Sequence, residues 1–482
     1  MKILNQHFIN GRLTDSHGQE TLDVFNPATG EQIGRATLGD QDDTKRAIAA
    51  AKAAFPAWSK TTLTERKGYL QRIADAWTER LDDLDAITVA EFGALSSFVR
   101  YGSGQARDFF LYAQELLEPE TFVETQGNAR IEKIPVGVAG LLSPWNGSVW
   151  FVAAKLAPAL AAGCTVVIKP SELCPFESQI LMEIFEKAAL PPGVINLING
   201  RGDVVGDTIT SSPDVRKISF TGSTRVGKHI MNVASETMKR VTLELGGKSP
   251  TIILDDADLG KAVQFALTVG LINTGQACIA GTRILVPETR LEEFKEAFKA
   301  AVPTLKIGNP AEPDTLLQPM ISQGHYQRVQ NYIRTGIEEG AEVLVGGLGK
   351  PEGLETGNYV KPTIFVNVTN DMIIAQEEIF GPVLSIIAYR DEEHAIEIAN
   401  DISYGLLGYI SSEDPQRARA VADRILAGRV MINQLFDAPT VPFGGFNMSG
   451  IGREFGLPGL QAFLETRVVL SDIANGEKSH GE

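Results

Sequence analysis

Cysteine is scarce: Cys164, Cys174 and Cys278 are the only three in 482 residues. An odd, sparse set is no disulfide framework, which points to a reducing compartment such as the cytoplasm. Histidine is nearly as rare. The six (His7, His17, His229, His325, His394 and His480) are scattered, and none is spaced with a cysteine or carboxylate as a metal site requires. No metal is expected. Excess positive charge is also lacking. Formal net charge is −16, from 44 basic and 60 acidic residues, which argues against nucleic acid or an anionic membrane as the main partner. No uninterrupted apolar span occurs either. The longest stretch, FVAAKLAPALAAGCTVVI (151–168), contains Lys155 and Pro158 and suits a buried helix and strand better than a membrane crossing. The start, MKILNQHFINGR, has no apolar core of the secretory kind.

What remains is ordinary for a globular chain, with 43% hydrophobic and 22% charged residues. HFINGRLTD carries an Asn-Gly hairpin signal, and residues 42–117 show apolar positions at helical spacing. From 136 onward short apolar strands alternate with helices: VGVAGLLS, then VWFVAAKLAPALAAG ending at Gly163, CTVVIKP, ESQILMEIFEKAAL, VINLING and VRKISFTGS. The rhythm restarts after TLELGG and runs to about 430. It predicts an α/β fold of two doubly wound domains joined near Leu245–Gly247, one Rossmann-like and one catalytic. Residues 1–117 and 136–246 form the first, 247–445 the second. Segments 118–135 and 463–475 are expected to be a small β element for oligomerisation.

Several loops at strand ends carry candidate chemistry. FTGSTRVG (220–227) follows an apolar strand and opens a helix, so Gly222, Ser223 and Gly227 can present backbone amides to a phosphate. Thr224 stands where the dinucleotide fingerprint has its second glycine. VVIKPSE places Lys169 and Glu172 at the carboxyl edge of a strand, suited to ribose hydroxyls. SPWN (143–146) ends another strand. There Asn146 is a candidate oxyanion donor and the predicted first residue of the next helix. ELGGKSP ends a strand on Glu244, a carboxylate beside apolar surface and a candidate general base. EEIFGPV supplies Glu378 and Phe380. NTGQACIAG holds Cys278 among small residues, with no histidine near it in sequence. Read alone, Cys278 fits a buried structural thiol better than a nucleophile, Asn146 a helix cap, Glu244 an ion-pair partner.

Together and in order, PWN, KPSE, FTGSTRVG, LELGGKSP, NTGQACIAGTR, EEIFGPV and PFGGFNMSGIGREFG (442–456) resemble the NAD(P)-dependent aldehyde dehydrogenase superfamily. The resemblance implies oxidation of an aldehyde to a carboxylic acid through a thioester. It implies Cys278 as nucleophile, Asn146 and the Cys278 amide as oxyanion donors, and Glu244 as the base that activates water. It assigns Lys169 and Glu172 to the adenosine ribose, the Gly222–Gly227 turn with Ser223 to the pyrophosphate, and Glu378 with Phe380 to the nicotinamide ribose. Ser143, Trp145 and Leu245 belong to the same cofactor cleft. Glu172 favours NAD, with NADP possible. Two departures stand out: Gly147-Ser148 replaces a common aromatic-proline pair, and Asn447 stands where lysine is common. Trp150, Phe436 and Phe443 are candidate substrate-pocket residues. Three aromatics and no obvious arginine lean toward an apolar or aromatic aldehyde over a semialdehyde. A cofactor-independent thiol hydrolase and a non-catalytic binding protein are the competing classes. A homodimer or homotetramer is expected.

Overall fold

The computed structural model describes residues 1–435 and 439–471. Phe436 and residues 472–475 of the expected oligomerisation element lie outside these.

The fold is mixed α/β. Its larger sheet has eight strands in the order Gly450–Ile451, Arg240–Glu244, Val215–Thr221, Val138–Leu142, Thr165–Lys169, Ile195–Leu197, Gln6–Ile9, Arg12–Asp15. The five strands from Arg240–Glu244 to Ile195–Leu197 are parallel, and they are almost wholly buried because helices cover both faces. Strand Val138–Leu142 is the start point. The chain builds outward from it to Ile195–Leu197, then crosses to the other side at Val215–Thr221. That reversal is a topological switch point, where open α/β sheets bind ligands at the carboxyl ends of their strands. The hairpin forms as its sequence predicts, with Asn10 at φ 54° and Gly11 at φ 80°.

The second sheet has seven strands: Glu342–Val345, Thr363–Val366, Val383–Tyr389, Arg283–Pro287, Pro250–Ile253, Leu407–Ser411 and Arg429–Ile432. All run parallel except the Glu342–Val345 edge. The chain passes from one sheet to the other through Gly246 and Gly247. Three antiparallel strands, Val123–Gln126, Ala129–Pro135 and Leu464–Leu470, form a separate small sheet. The segment read as β from 118 opens with a helical turn, Pro119–Phe122, because Pro119 favours the first turn of a helix. A fourth sheet of three strands uses residues 2–4, 21–25 and 32–37.

Helix Ser148–Ala162 is apolar all round, and 13 of its 15 residues are buried. It ends where Gly163 adopts a left-handed φ of 90°, the conformation that closes a helix most cheaply without a Cβ. Its start differs from expectation. Asn146 is not its first residue; the helix begins at Ser148, after Gly147. The reason is that the Asn146 amide is committed across the cleft, so it caps nothing locally.

Candidate active site

The carboxyl edge of the first sheet brings several predicted residues side by side. Leu142 pairs with Lys169, and the Ser143 amide donates to the Lys169 carbonyl at 3.1 Å. Lys169 is buried and its ammonium meets Glu172 at 2.6 Å. Burial raises the Glu172 carboxyl, but the Lys169 charge and hydrogen bond, a backbone hydrogen bond and the Arg201 charge together hold the group below its ordinary range. The neighbouring strand ends at Thr221, and Ser223 caps helix Thr224–Ser235 by accepting from the Val226 amide at 3.4 Å. A Cβ at Gly227 would lie 2.5 Å from the Leu245 side chain, so only glycine lets helix and cleft approach this closely. The Ser143 hydroxyl has no hydrogen-bond partner among the described residues. An open helix end, an unused hydroxyl and a ribose-height Lys–Glu pair fit a dinucleotide across the switch point.

Glu378 and Phe380 sit opposite. Glu378 Oε1 accepts from the Gly247 amide at 3.0 Å, and burial pushes its carboxyl up to about 7. Phe380 holds a left-handed φ of 65°. Two groups brace it. His325, held neutral by burial with its pKa near about 4, bonds the Phe380 carbonyl at 2.6 Å through Nε2. Arg328 donates to the Glu378 carbonyl at 2.8 Å. Trp145 packs edge-on against Phe380 (5.4 Å) and His325 (5.3 Å).

Cys278 lies on the loop between helix Leu259–Gly270 and strand Arg283–Pro287. The three cysteines differ sharply. Cys164 and Cys174 are sealed in, and burial raises both thiols, Cys164 to about 11. Cys278 is part-exposed and faces a cavity of about 1250 Å³. Its loop is strained and locked. Asn273, Thr274 and Gly275 all have positive φ (52°, 56° and 75°). Gln276, fully buried, donates to the Pro319 carbonyl at 3.2 Å and accepts from the Ile321 amide at 3.1 Å. Asn146 Nδ2 donates to the Gln276 carbonyl at 3.0 Å, which leaves its second N–H free to point elsewhere.

The same cavity is lined by Asn146, Trp150 and Phe443. Trp150 reaches it from the third residue of its helix, not from a shared helical face with Asn146. Its ring packs edge-to-face against Phe109, Phe151 and Phe455. Arg429, which sequence reading missed, also lines the wall, with its guanidinium 5.0 Å from the Phe443 ring and its Nε donating to the Pro442 carbonyl at 2.8 Å. A lone arginine at the head of a strand carries no local signal of this.

Glu244 is placed differently. It ends its strand as expected but is not on the cavity wall. It lies buried beside Gly444, where a Cβ would come 2.6 Å from Oε1. Neither carboxyl oxygen has a hydrogen-bond partner among the described residues. Burial, followed by the Glu454 charge, holds the carboxyl well above its ordinary range, opposed by Lys155. Lys155 and Glu454 form a buried ion pair, joined by Thr221 (2.6 Å to Lys155) and Ser219 (2.9 Å to Glu454). Neither was singled out from sequence, because Lys155 reads as a break in an apolar helix.

The profile of the aldehyde dehydrogenase family matches residues 13–469. The chain belongs to that family. Among similar members is a Staphylococcus haemolyticus protein, provisionally named an aldehyde dehydrogenase, 46% identical over 97% of this chain and 99% of its own length. Aldehyde dehydrogenase C of Pseudomonas syringae, solved as a cysteine-to-alanine mutant with NAD+ and octanal, superposes with a TM-score of 0.95 at 41% identity, covering 97% of this chain and 96% of that one. A betaine aldehyde dehydrogenase of Staphylococcus aureus, solved with NAD+, gives 0.94 at 36% identity, covering 97% and 94%. The Rossmann-like sheet and its switch point are thus those of an aldehyde dehydrogenase.

Because Glu244 titrates higher when folded, its ionisation weakens the fold as pH rises from the unfolded carboxyl range through the folded one. Glu244→Gln is therefore expected to unfold at a higher temperature than the parent chain. The gap should be wide at pH 8.5 and narrow at pH 5. Differential scanning calorimetry at both pH values checks this, and a gap that shrinks with pH rules the burial account out.

Proposed function

We propose that this enzyme oxidises an apolar aldehyde to its carboxylic acid, with NAD as hydride acceptor and an acyl thioester on Cys278 as intermediate. The observation that carries this is the one cavity onto which Cys278 and Asn146 both open, beside the carboxyl edge of the first sheet. Cys278 Sγ, once its thiol proton has passed to water, adds as thiolate to the carbonyl carbon. The resulting oxyanion accepts from the remaining Asn146 N–H and from the Cys278 backbone amide, donors of a kind worth roughly 3 kcal/mol of barrier each. Bound NAD supplies the acceptor for the hydride that leaves carbon. Glu244, once ionised, takes a proton from water, which attacks the thioester and releases the acid. Its side chain must first turn from the Gly444 side past Gly246 and Gly247.

Lys169, Glu172, Ser143, Ser223 and the Gly222–Gly227 turn would hold the adenosine and pyrophosphate. Glu378, Phe380, Trp145 and Leu245 would hold the nicotinamide end. The NAD-bound relatives support this placement. The Glu172 carboxylate disfavours a 2′-phosphate, so NAD is preferred over NADP. The domain division would follow the sheets, breaking at Gly246-Gly247. Leu464–Leu470, with Val468, Val469 and Leu470 at 54%, 44% and 70% exposure, would pair with a second copy in a dimer or dimer of dimers. Among the described residues no helix is long and apolar enough to cross a membrane. The absence of a disulfide among the described residues supports a cytoplasmic site.

Trp150, Phe443, Met431 and Leu435 give the cavity an apolar wall near Cys278, and octanal in the Pseudomonas syringae relative supports an apolar substrate. Arg429 favours a second reading, a semialdehyde whose carboxylate it would bind. Its donors to Pro442 and Val441 and its stacking on Phe443 argue that it is already engaged. A thiol hydrolase is disfavoured because no histidine lines the cavity among the described residues.

Cys278→Ala is expected to abolish NADH formation. Glu244→Gln should give a burst of about one NADH per site and then stall; steady turnover at the parent rate would remove Glu244 from the mechanism. In a panel followed by NADH absorbance, hexanal and benzaldehyde should exceed succinic semialdehyde and betaine aldehyde in kcat/KM, and NAD should exceed NADP by at least tenfold. The reverse order on either axis overturns that choice. Sedimentation velocity should show a dimer or tetramer that Val468→Glu with Leu470→Glu dissociates, and a monomeric parent chain would refute the edge-strand assignment.

A further inference from the structure

The loop at 441–445 faces two ways. Phe443 lines the cavity at Cys278, and the next residue, Gly444, meets the Glu244 carboxyl. Gly444 is tightly enclosed. A Cβ there would stand 2.6 Å from Glu244 Oε1, 2.9 Å from Arg453 Cδ and 2.9 Å from the Gly452 carbonyl oxygen. Its φ of 148° lies in the region that favours glycine. The resting place of Glu244 is therefore shaped by main chain, and it is only as well defined as that main chain is held.

Arg429 meets the three residues that precede Gly444. Its Nε donates to the Pro442 carbonyl at 2.8 Å, its Nη2 donates to the Val441 carbonyl, and its guanidinium lies 5.0 Å from the Phe443 ring. Gly428, just before it, adds a main-chain contact: a Cβ there would fall 1.7 Å from the Gly444 carbonyl oxygen. Phe443 and Glu454 also exchange main-chain bonds, at 2.8 Å each way, and Arg453 Nη1 donates to the Gly445 carbonyl at 3.1 Å. Those bonds are internal to residues 442–456. Arg429 instead reaches the loop from the second sheet, whereas Glu244 reaches it from the first. The charged groups that bear on Glu244 are Glu454, which raises its carboxyl with burial, and Lys155, Arg453 and Arg429, which lower it. Arg429 has the smallest effect of the four through charge, so its hold on the loop is its stronger influence.

We propose that Arg429 is a positioning residue for Glu244: it clamps residues 441–443 so that Gly444 keeps the carboxyl in one buried place, from which it acts in thioester hydrolysis. The proposal rests on the reading of Glu244 as the base. In that step water gives a proton to the Glu244 carboxylate, its oxygen bonds the acyl carbon, and the carbon–sulfur bond breaks with its electron pair left on Cys278 Sγ. Without the clamp Glu244 has other places to rest, so a smaller fraction of enzyme holds it ready. Addition of Cys278 and loss of hydride do not use Glu244 and keep their rates.

The test is stopped-flow NADH formation at saturating NAD and hexanal. Arg429→Met should make its first NADH at a rate within about twofold of the parent chain, then continue at least about fivefold more slowly. An equal loss in both phases, or no loss in either, overturns the proposal. Arg429→Lys keeps the charge but not the fork to two carbonyls, and it should behave as Arg429→Met does. A return to the parent rate in Arg429→Lys would assign the effect to charge and overturn the clamp. In the Glu244→Gln background, Arg429→Met should slow the second phase no further; an added loss places its action elsewhere and overturns it. So does a loss of kcat/KM confined to succinic semialdehyde, which would make Arg429 a substrate-binding group. Glu244→Gln alone separates the two readings. Turnover at the parent rate sinks the base assignment itself, whereas a stalled Glu244→Gln beside an Arg429→Met that turns over like the parent sinks the clamp alone.

Discussion

The site depends on a backbone contact between two sheets that only glycine permits. A Cβ at Gly247 would stand 2.3 Å from the Cys278 carbonyl oxygen. The exit of the first sheet therefore runs directly against the loop that presents Cys278. The Gly247 amide is taken by Glu378 on one side, and Asn146 is bonded to the Gln276 carbonyl on the other. Three loops distant in sequence are thus tied to one point, one by main-chain packing and two by side chains bonded to main-chain atoms. That arrangement is less sensitive to side-chain motion than a contact of side chains alone, which suits groups that must be held within tenths of an ångström for catalysis.

Burial is the second device, and it acts on acids in this site. Glu378 is raised to about 7 while bonded to an amide, and Glu244 is raised well above its ordinary range with no hydrogen-bond partner among the described residues. Lys155 and Glu454 bear on Glu244 with opposite sign and hold each other at contact. Their pairing leaves burial as the dominant influence, so the Glu244 carboxyl is set by its surroundings more than by any single neighbour.

Much of this was legible in the sequence, for identifiable reasons. Parallel strands buried on both faces read as apolar runs, so the alternation from Val138 onward located the sheet and its carboxyl edge. The candidate residues are loop residues immediately after those runs, where a short motif suffices to place them. Three features were hidden. The helix start at Ser148 depended on Asn146 bonding to Gln276, a partner 130 residues away. The Lys155–Glu454 pair spans 299 residues and leaves no local pattern. Arg429 reaches the cavity because its strand abuts the Phe443 loop, which neither segment announces.

The walls of the cavity differ in what they can fix. Near Cys278 they carry directional groups, the amide of Asn146 and a locked, strained loop, so geometry there is fixed. Most of the remaining lining is apolar, with Gln264, Thr268 and Thr304 among its polar members, and apolar area is non-directional. The strain in Asn273 and Thr274 lies where the chain turns from helix Leu259–Gly270 to the loop that presents Cys278. Relaxing those residues to ordinary helix would move Cys278 off its contact with Gly247, so the positive φ values are a condition of its placement.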